Sequence, residues 1–244
     1  MSFRDRSEAG RRLARKLARY KGEDVVVLAL PRGGVPVAAP IATVLAAPLD
    51  LILIRKLGVP FYSELAMGAI ADAGTPLIVR NEDVIAEARV KQGDFNAVCQ
   101  RELTEIERRR RVYLSGRPRP KVGGRIAIVV DDGVATGATT RAALRAVRAL
   151  NPKRLVLAVP VAPTDTLRSL ASEADEMVCL ESHRTFIAIG CYYEDFHQID
   201  DDEVVSTLDR LGGDRSAGIE RKSDESSGKD KDSGADPSNP TFSR

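Results

Sequence analysis

The sequence predicts an α/β fold: a doubly wound, mainly parallel sheet with a small hood and a disordered C-terminal tail. Three observations carry this expectation. Five short apolar runs, rich in β-branched residues, do not alternate with polar ones, so both faces of each strand are expected to be buried, as in a parallel sheet. Helical patterns separate most of the runs, and the order strand, helix, strand implies right-handed crossovers. After residue 212 apolar residues almost vanish.

The elements follow in order. Residues 1–20 (MSFRDRSEAGRRLARKLARY) place Ala9, Leu13 and Leu17 on one stripe of an amphipathic helix. They lack the apolar segment of a signal peptide. The first strand is Val25 to Leu30, followed by a helix over VPVAAPIATVLAA with Pro36 and Pro40 near its first turn, where proline is tolerated. The second run is Leu49 to Ile54. Residues 81–119 are charged throughout and read as a largely solvent-facing helix followed by a flexible Gly/Pro loop. Within them, Arg108 to Arg111 form either a solvated helix face or a cationic flap. The third run, Ile126 to Val130, precedes a helix with Ala143, Leu144, Val147 and Leu150 at helical spacing. The fourth, Leu155 to Val159, precedes a helix over TDTLRSLASEA, and the fifth, weaker run is Met177 to Leu180. A last helix carries Val204, Leu208 and Leu211 on one face and stops at Gly212. Residues 1–212 are therefore expected to form one domain. Residues 213–244 cannot bury enough surface to offset the entropy of ordering, and are expected to be a disordered tail.

Composition narrows the function. Lysine and arginine total 37 against 35 aspartate and glutamate, a formal charge of +2, so neither a nucleic-acid nor a membrane partner is expected. No run of about 18 apolar residues occurs. Cys99, Cys179 and Cys191 show no paired or metal-type spacing, which suits thiols in a reducing, cytoplasmic setting.

Two loops at strand ends carry the chemistry, because ligands of open α/β sheets bind beyond the carboxyl ends of the strands. The third strand runs into two adjacent acids, Asp131 and Asp132, and then into GVATGAT. The loop's Thr and Gly backbone N–H groups, at the start of a helix, would converge on an anion, with Thr136 and Thr139 adding hydroxyl donors, which makes a phosphate cradle. It is not a Walker A loop, since no Lys-Ser/Thr pair follows the glycine. Carboxylates beside such a cradle need Mg²⁺ or sugar hydroxyls as partners. A phosphorylated ribose supplies both demands. After the first strand, PRGG places Arg32, Gly33 and Gly34 where a second anionic group could be held.

With these residues the sequence resembles the type I phosphoribosyltransferases. Their signature is an apolar strand, two acids, two usually apolar residues and a small Thr/Gly-rich loop. IVVDDGVATGAT departs from it only at Gly133. PRGG looks like the family's pyrophosphate loop, in which a non-proline cis peptide is common. Residues 54–74 and 186–200 resemble a bacterial and archaeal subgroup of predicted phosphoribosyltransferases.

The resemblance implies that Asp131 and Asp132 hold the ribose hydroxyls of phosphoribosyl pyrophosphate (PRPP) and that Ala135, Thr136, Gly137, Ala138 and Thr139 bind its 5′-phosphate. It implies that Arg32, Gly33 and Gly34 hold the pyrophosphate, bridged by Mg²⁺ that Asp131 and Asp132 could also meet. Arg55 and Lys56 are either further cations there or a solvated strand end. Phe186 and Tyr192 either fill core or form a hood that stacks on a base, with Asp195 accepting from ring N–H groups. A third loop acid, found in several purine enzymes of the class, is replaced by Ala135. The implied activity is PRPP-dependent phosphoribosyl transfer to a nitrogenous base, purine-like, with release of pyrophosphate, as in nucleotide salvage. The alternative is a non-catalytic PRPP-binding regulator, against which stands the lack of a helix-turn-helix pattern or a basic domain. The implied partners are PRPP and a small-molecule base; a homodimer fits too, though the sequence leaves the oligomeric state open.

Overall fold

A computed structural model describes residues 2–72, 76–114 and 116–211 of the protein. The chain divides into two units, Met1–Leu211 and Gly212–Arg244. The expected tail and the Gly212 stop lie outside the described residues.

The first half contains α1 (Arg6–Leu17), β1 (Val25–Ala29), α2 (Gly34–Leu45), β2 (Leu49–Leu51), β3 (Leu53–Val59), β4 (Tyr62–Asp72), β5 (Pro76–Arg80) and α3 (Glu82–Glu87). There follow α4 (Gln92–Leu114), β6 (Ile126–Val130), α5 (Ala138–Arg148), β7 (Arg154–Pro163), α6 (Thr164–Leu170) and β8 (Glu176–His183). Residues 201–211 are helical and are labelled α7. No helix among the described residues is long and apolar enough to cross a membrane.

Five parallel strands form the main sheet in the order β2-β1-β6-β7-β8. All five apolar runs of the sequence contribute to it. Every residue of β1 and of β6 is buried, and the two-residue period of a strand explains why. Val25, Val27, Ile126 and Ile128 face a core shared with Leu13 and Leu17 of α1 and Ile41 of α2. Val26, Leu28, Ala127 and Val129 face the opposite core, shared with Leu144 and Val147 of α5. Helices cover both faces, so no polar alternation is needed. The cap of α1 is Asp5, whose Oδ1 accepts from the Glu8 amide at 2.6 Å. Pro40 lies inside α2 rather than in its first turn.

Three expectations are corrected. The run Leu49 to Ile54 is not one strand: β2 ends at Leu51, and β3 starts at Leu53 in a second, antiparallel sheet of order β3-β4-β5. Its register shifts around Gly58, so charged residues and a bulge hide its period from sequence reading. The helix expected over TDTLRSLASEA is α6, which ends at Leu170. Finally, α4 faces solvent over much of its surface but also carries an unexpected buried stripe. Phe95, Val98, Cys99, Glu102, Ile106 and Tyr113 are buried along it, and the helix packs against β3. The spacing of three and four residues from Phe95 to Ile106 makes a narrow stripe, but a glutamate within it and the arginines beside it mask the pattern.

The arginine run divides its duties. Arg108 and Arg109 bond Glu105, both at 2.8 Å, and hold its carboxyl down to about 2. Arg110 donates through Nε to Asp72 at 3.0 Å, a carboxylate fully buried at the end of β4. Arg119 then joins the two sheets: Nε donates to Asp50 of β2 at 2.8 Å, Nη2 to the Leu51 carbonyl at 2.8 Å, and Nη1 lies 3.5 Å from Asp72.

Candidate active site

Parallel register places the two anion loops side by side. Ala29 pairs with Val130, so β1 and β6 end at the same level. The Leu30 amide donates to the Val130 carbonyl at 2.9 Å. Pro31–Gly34 therefore leaves the sheet beside Asp131–Asp132, and the Pro31–Arg32 peptide is cis. A Cβ on Gly33 would stand 2.0 Å from Asp132 Oδ2, so only glycine admits this approach. Arg32 lies 3.6 Å from Asp201 of α7, which also accepts the Tyr113 hydroxyl at 2.5 Å.

The two acids differ in their surroundings. Asp131 Oδ1 accepts from the Asp132 amide at 2.9 Å. Asp132 Oδ2 accepts from Arg6 Nε at 2.8 Å, and the Tyr193 hydroxyl donates to the Asp132 carbonyl at 2.6 Å. Burial, with the neighbouring charge of Asp132, pushes the Asp131 carboxyl well above the ordinary range. Burial also raises Asp132, but the Arg6 guanidinium opposes it. Burial and both carboxylates push Tyr193 upward as well, while Arg6 pulls it down.

Beyond the acids the chain turns through residues 133–137 into α5. Gly137, at φ +80°, starts the helix without a side-chain cap, so the first-turn amides of α5 have no capping oxygen and can meet an anion. Ala135, Thr136, Ala138 and Thr139 are exposed, and the Thr166 hydroxyl pins the loop by donating to the Ala135 carbonyl at 2.9 Å. Gly133 stands where the family signature has an apolar residue, and the reason lies in another element. A Cβ there would meet Ile189 at 2.7 Å, so the Ile189 side chain, from the short turn Ile189–Tyr192, takes the place of that residue.

The remaining candidates separate. Arg55 and Lys56 lie on opposite faces of β3, as neighbours in a strand must. Lys56 lines a cavity of about 540 Å³ together with Thr136 and Thr139. Arg55 bonds Glu102 at 2.7 Å, and Lys56 lies 3.4 Å from Glu64; both also line a second cavity that includes these two acids. Phe186 and Tyr192 come together, their rings stacked 5.1 Å apart, and Tyr192 stacks in turn on His183 at 4.6 Å. Both are half-buried. Asp195 does not join them. Instead of being buried it is exposed, and it accepts from the His197 amide at 3.1 Å and pairs with its ring at 3.0 Å.

Sequence reading missed Arg6 and Tyr193. Arg6 had a signal: it continues the stripe of Ala9, Leu13 and Leu17, and an arginine on a buried stripe demands a partner. Tyr193 had none beyond its aromatic neighbours.

Two glycine-bearing loops thus flank an acid pair at the carboxyl edge of a parallel sheet. The chain matches the phosphoribosyl transferase domain model over residues 4–195 and belongs to the type I phosphoribosyltransferase family. It is 49% identical over 208 residues to a Mycobacterium tuberculosis H37Rv protein provisionally named a phosphoribosyl transferase, and equally to its counterpart in strain CDC 1551. Each alignment covers 85% of this chain and 46% of the mycobacterial protein, so the chain spans less than half the length of these curated relatives. Among solved structures, TT1426 from Thermus thermophilus is 40% identical with a TM-score of 0.71, over 85% of this chain and 98% of that one.

Proposed function

We propose that the chain binds PRPP across these loops and transfers its phosphoribosyl group to a nitrogenous base, purine-like, releasing pyrophosphate. The observation that carries this reading is the seating of Gly33 against Asp132, which brings a cation-bearing loop, two acids and an uncapped helix start to one sheet edge. In this reading Ala135–Thr139 hold the 5′-phosphate, Asp131 and Asp132 the ribose hydroxyls, and Arg32, Gly33 and Gly34 the pyrophosphate. Lys56, on the cradle's cavity and paired with exposed Glu64 at 3.4 Å, is a further cation for the phosphates; Arg55 is bound to buried Glu102 at 2.7 Å and Asp195 to His197, so neither is assigned here. Phe186 and Tyr192 offer aromatic faces to the base.

The acids also fit Mg²⁺. Two adjacent carboxylates whose charge is disfavoured by burial gain from a second cation besides Arg6. The described residues contain no cluster of three ligating side chains, so PRPP oxygens and water would complete the shell. When bound, the ion would neutralise charge on the departing pyrophosphate. The protein's own share is electrostatic: Arg32 and the loop amides stabilise that leaving group, and the acids face the positive charge that develops on the sugar.

The test is pyrophosphate release from PRPP and Mg²⁺ against a panel of purines, pyrimidines and amines, beside calorimetric PRPP binding. Turnover with a purine supports the whole reading. Tight binding without turnover on any base would point to the non-catalytic PRPP sensor, and no binding at all would sink both.

A further inference from the structure

The N-terminal helix reaches the acid pair through a single side chain. Arg6, the first residue of α1, is 7% exposed. Its Nε donates to Asp132 Oδ2 at 2.8 Å, and its Nη1 donates to the His197 carbonyl at 2.9 Å. The guanidinium lies over the Phe196 ring, 3.8 Å from its centroid. A planar fork can make all three contacts at once, and a lysine cannot.

Asp132 is thereby gripped from three elements. Arg6 comes from α1, the Gly33 backbone crowds Oδ2 from the PRGG loop, and Tyr193 bonds its carbonyl from the hood. Tyr193 stacks on Phe196 at 5.1 Å, so the same aromatic pair supports both contacts. With Oδ2 engaged by the guanidinium, Oδ1 is left for a ligand hydroxyl. Asp131 is different: among the described residues it makes no ion pair, and its bond is from the adjacent amide.

We infer that Arg6 is a positioning residue for phosphoribosyl transfer, fixing the Asp132 carboxylate so that the two acids take unequal roles. Asp132 is the fixed acceptor for a ribose hydroxyl, and Asp131, which makes no ion pair among the described residues, is the carboxylate left for a cation. Without Arg6, two adjacent like charges in a half-buried site repel, and Asp132 loses its defined orientation. Misplacing a group by about an ångström can cost on the order of 10² in rate.

The inference rests on the PRPP reading, and the experiment separates the two. Calorimetry with PRPP and Mg²⁺ is run on wild type, Arg6→Gln, Arg6→Lys, Asp132→Asn and the double variant Arg6→Gln with Asp132→Asn, with the folded fraction taken from circular dichroism. The expected result is a loss of PRPP affinity of about tenfold for Arg6→Gln, partly restored in Arg6→Lys. In the Asp132→Asn background the same substitution should cost less than about twofold, because coupled residues are non-additive. A merely structural Arg6 would lower the melting temperature while the folded protein bound PRPP as wild type does. That outcome, or an equal loss in both backgrounds, overturns the inference alone. If Arg6→Gln does not fold, Arg6→Lys carries the comparison through its own double variant with Asp132→Asn. A wild-type chain that binds no PRPP removes the functional reading and this inference with it.

Discussion

Gly33 and Asp132, 99 residues apart in sequence, meet so closely that the glycine's missing side chain is the space the carboxylate fills. The alanine Cβ would lie 2.0 Å from Oδ2. Gly33→Ala should therefore push the loop from the acids, costing about 1–3 kcal/mol as overpacking does. PRPP affinity should fall about tenfold or more, as misplacing loop amides weakens an anion site. Chemical denaturation and calorimetry on the same variant check both, and unchanged values would show that the loop relaxes freely.

Replacing Asp131 and Asp132 by asparagine should lower turnover by about 10²–10³, the scale of losing an electrostatic contact in a transition state. The same change relieves the repulsion between the acids but leaves buried Arg6 without its carboxylate partner, and breaking a buried pair is destabilising. Both folded-state acids have raised pKa values, so their charged forms oppose folding, and the stability these groups contribute climbs as pH falls through their folded pKa values toward the ordinary carboxylate range. Wild-type turnover in the double variant would refute the site.

Arg119 should matter more to stability than its surface position suggests. Asp50 and Asp72 are 3% and 0% exposed, and Arg119 is the cation that reaches from one sheet's acid to the other's. Arg119→Ala should cost about 3 kcal/mol, as removing one partner of a buried pair does. The urea midpoint measures it. An accompanying loss of activity would show that the antiparallel sheet must be held against the main one.

Tyr113 reports on the Arg32 loop. Burial, then its bond to Asp201, pushes its hydroxyl up to about 12 from the ordinary value of 10.0. A group with a raised folded pKa stabilises fully below its unfolded pKa, so this contribution persists to about pH 10 and is lost as pH rises through about 12. Ultraviolet titration of wild type against Tyr113→Phe should show one tyrosine missing from the high end. Tyr113→Phe should also leave Asp201 to Arg32 alone, and a changed PRPP affinity would reveal that link.

Phe186→Ala should raise the acceptor's KM while sparing PRPP affinity, since stacked Phe186 and Tyr192 lie outside the acid loop and both anion loops. If PRPP binding falls instead, the aromatic stack supports the acid loop through Ile189.

The sequence by itself determined the main sheet, because a strand buried on both faces has to be apolar at every position, and β1, β6 and β7 state that without help. It also marked the two strand-end loops proposed here to hold anions, through glycines, adjacent acids and threonines at strand ends. The β3-β4-β5 sheet was not legible: its charges and bulge obscure the period, and its partners are set by chain crossing rather than by local pattern. The buried stripe of α4 was hidden for a related reason, as Glu102 looks solvated until Arg55 is seen beside it. Only the tertiary structure decided which candidates meet. It gave Arg55 and Lys56 different acid partners, Glu102 and Glu64, exposed Asp195 to solvent beside His197, and brought Arg6 and Tyr193 to Asp132. Those last contacts join residues 126 and 61 positions apart. No local spacing encodes such separations; they arise where the ends of parallel strands, a helix and the hood are packed to one edge.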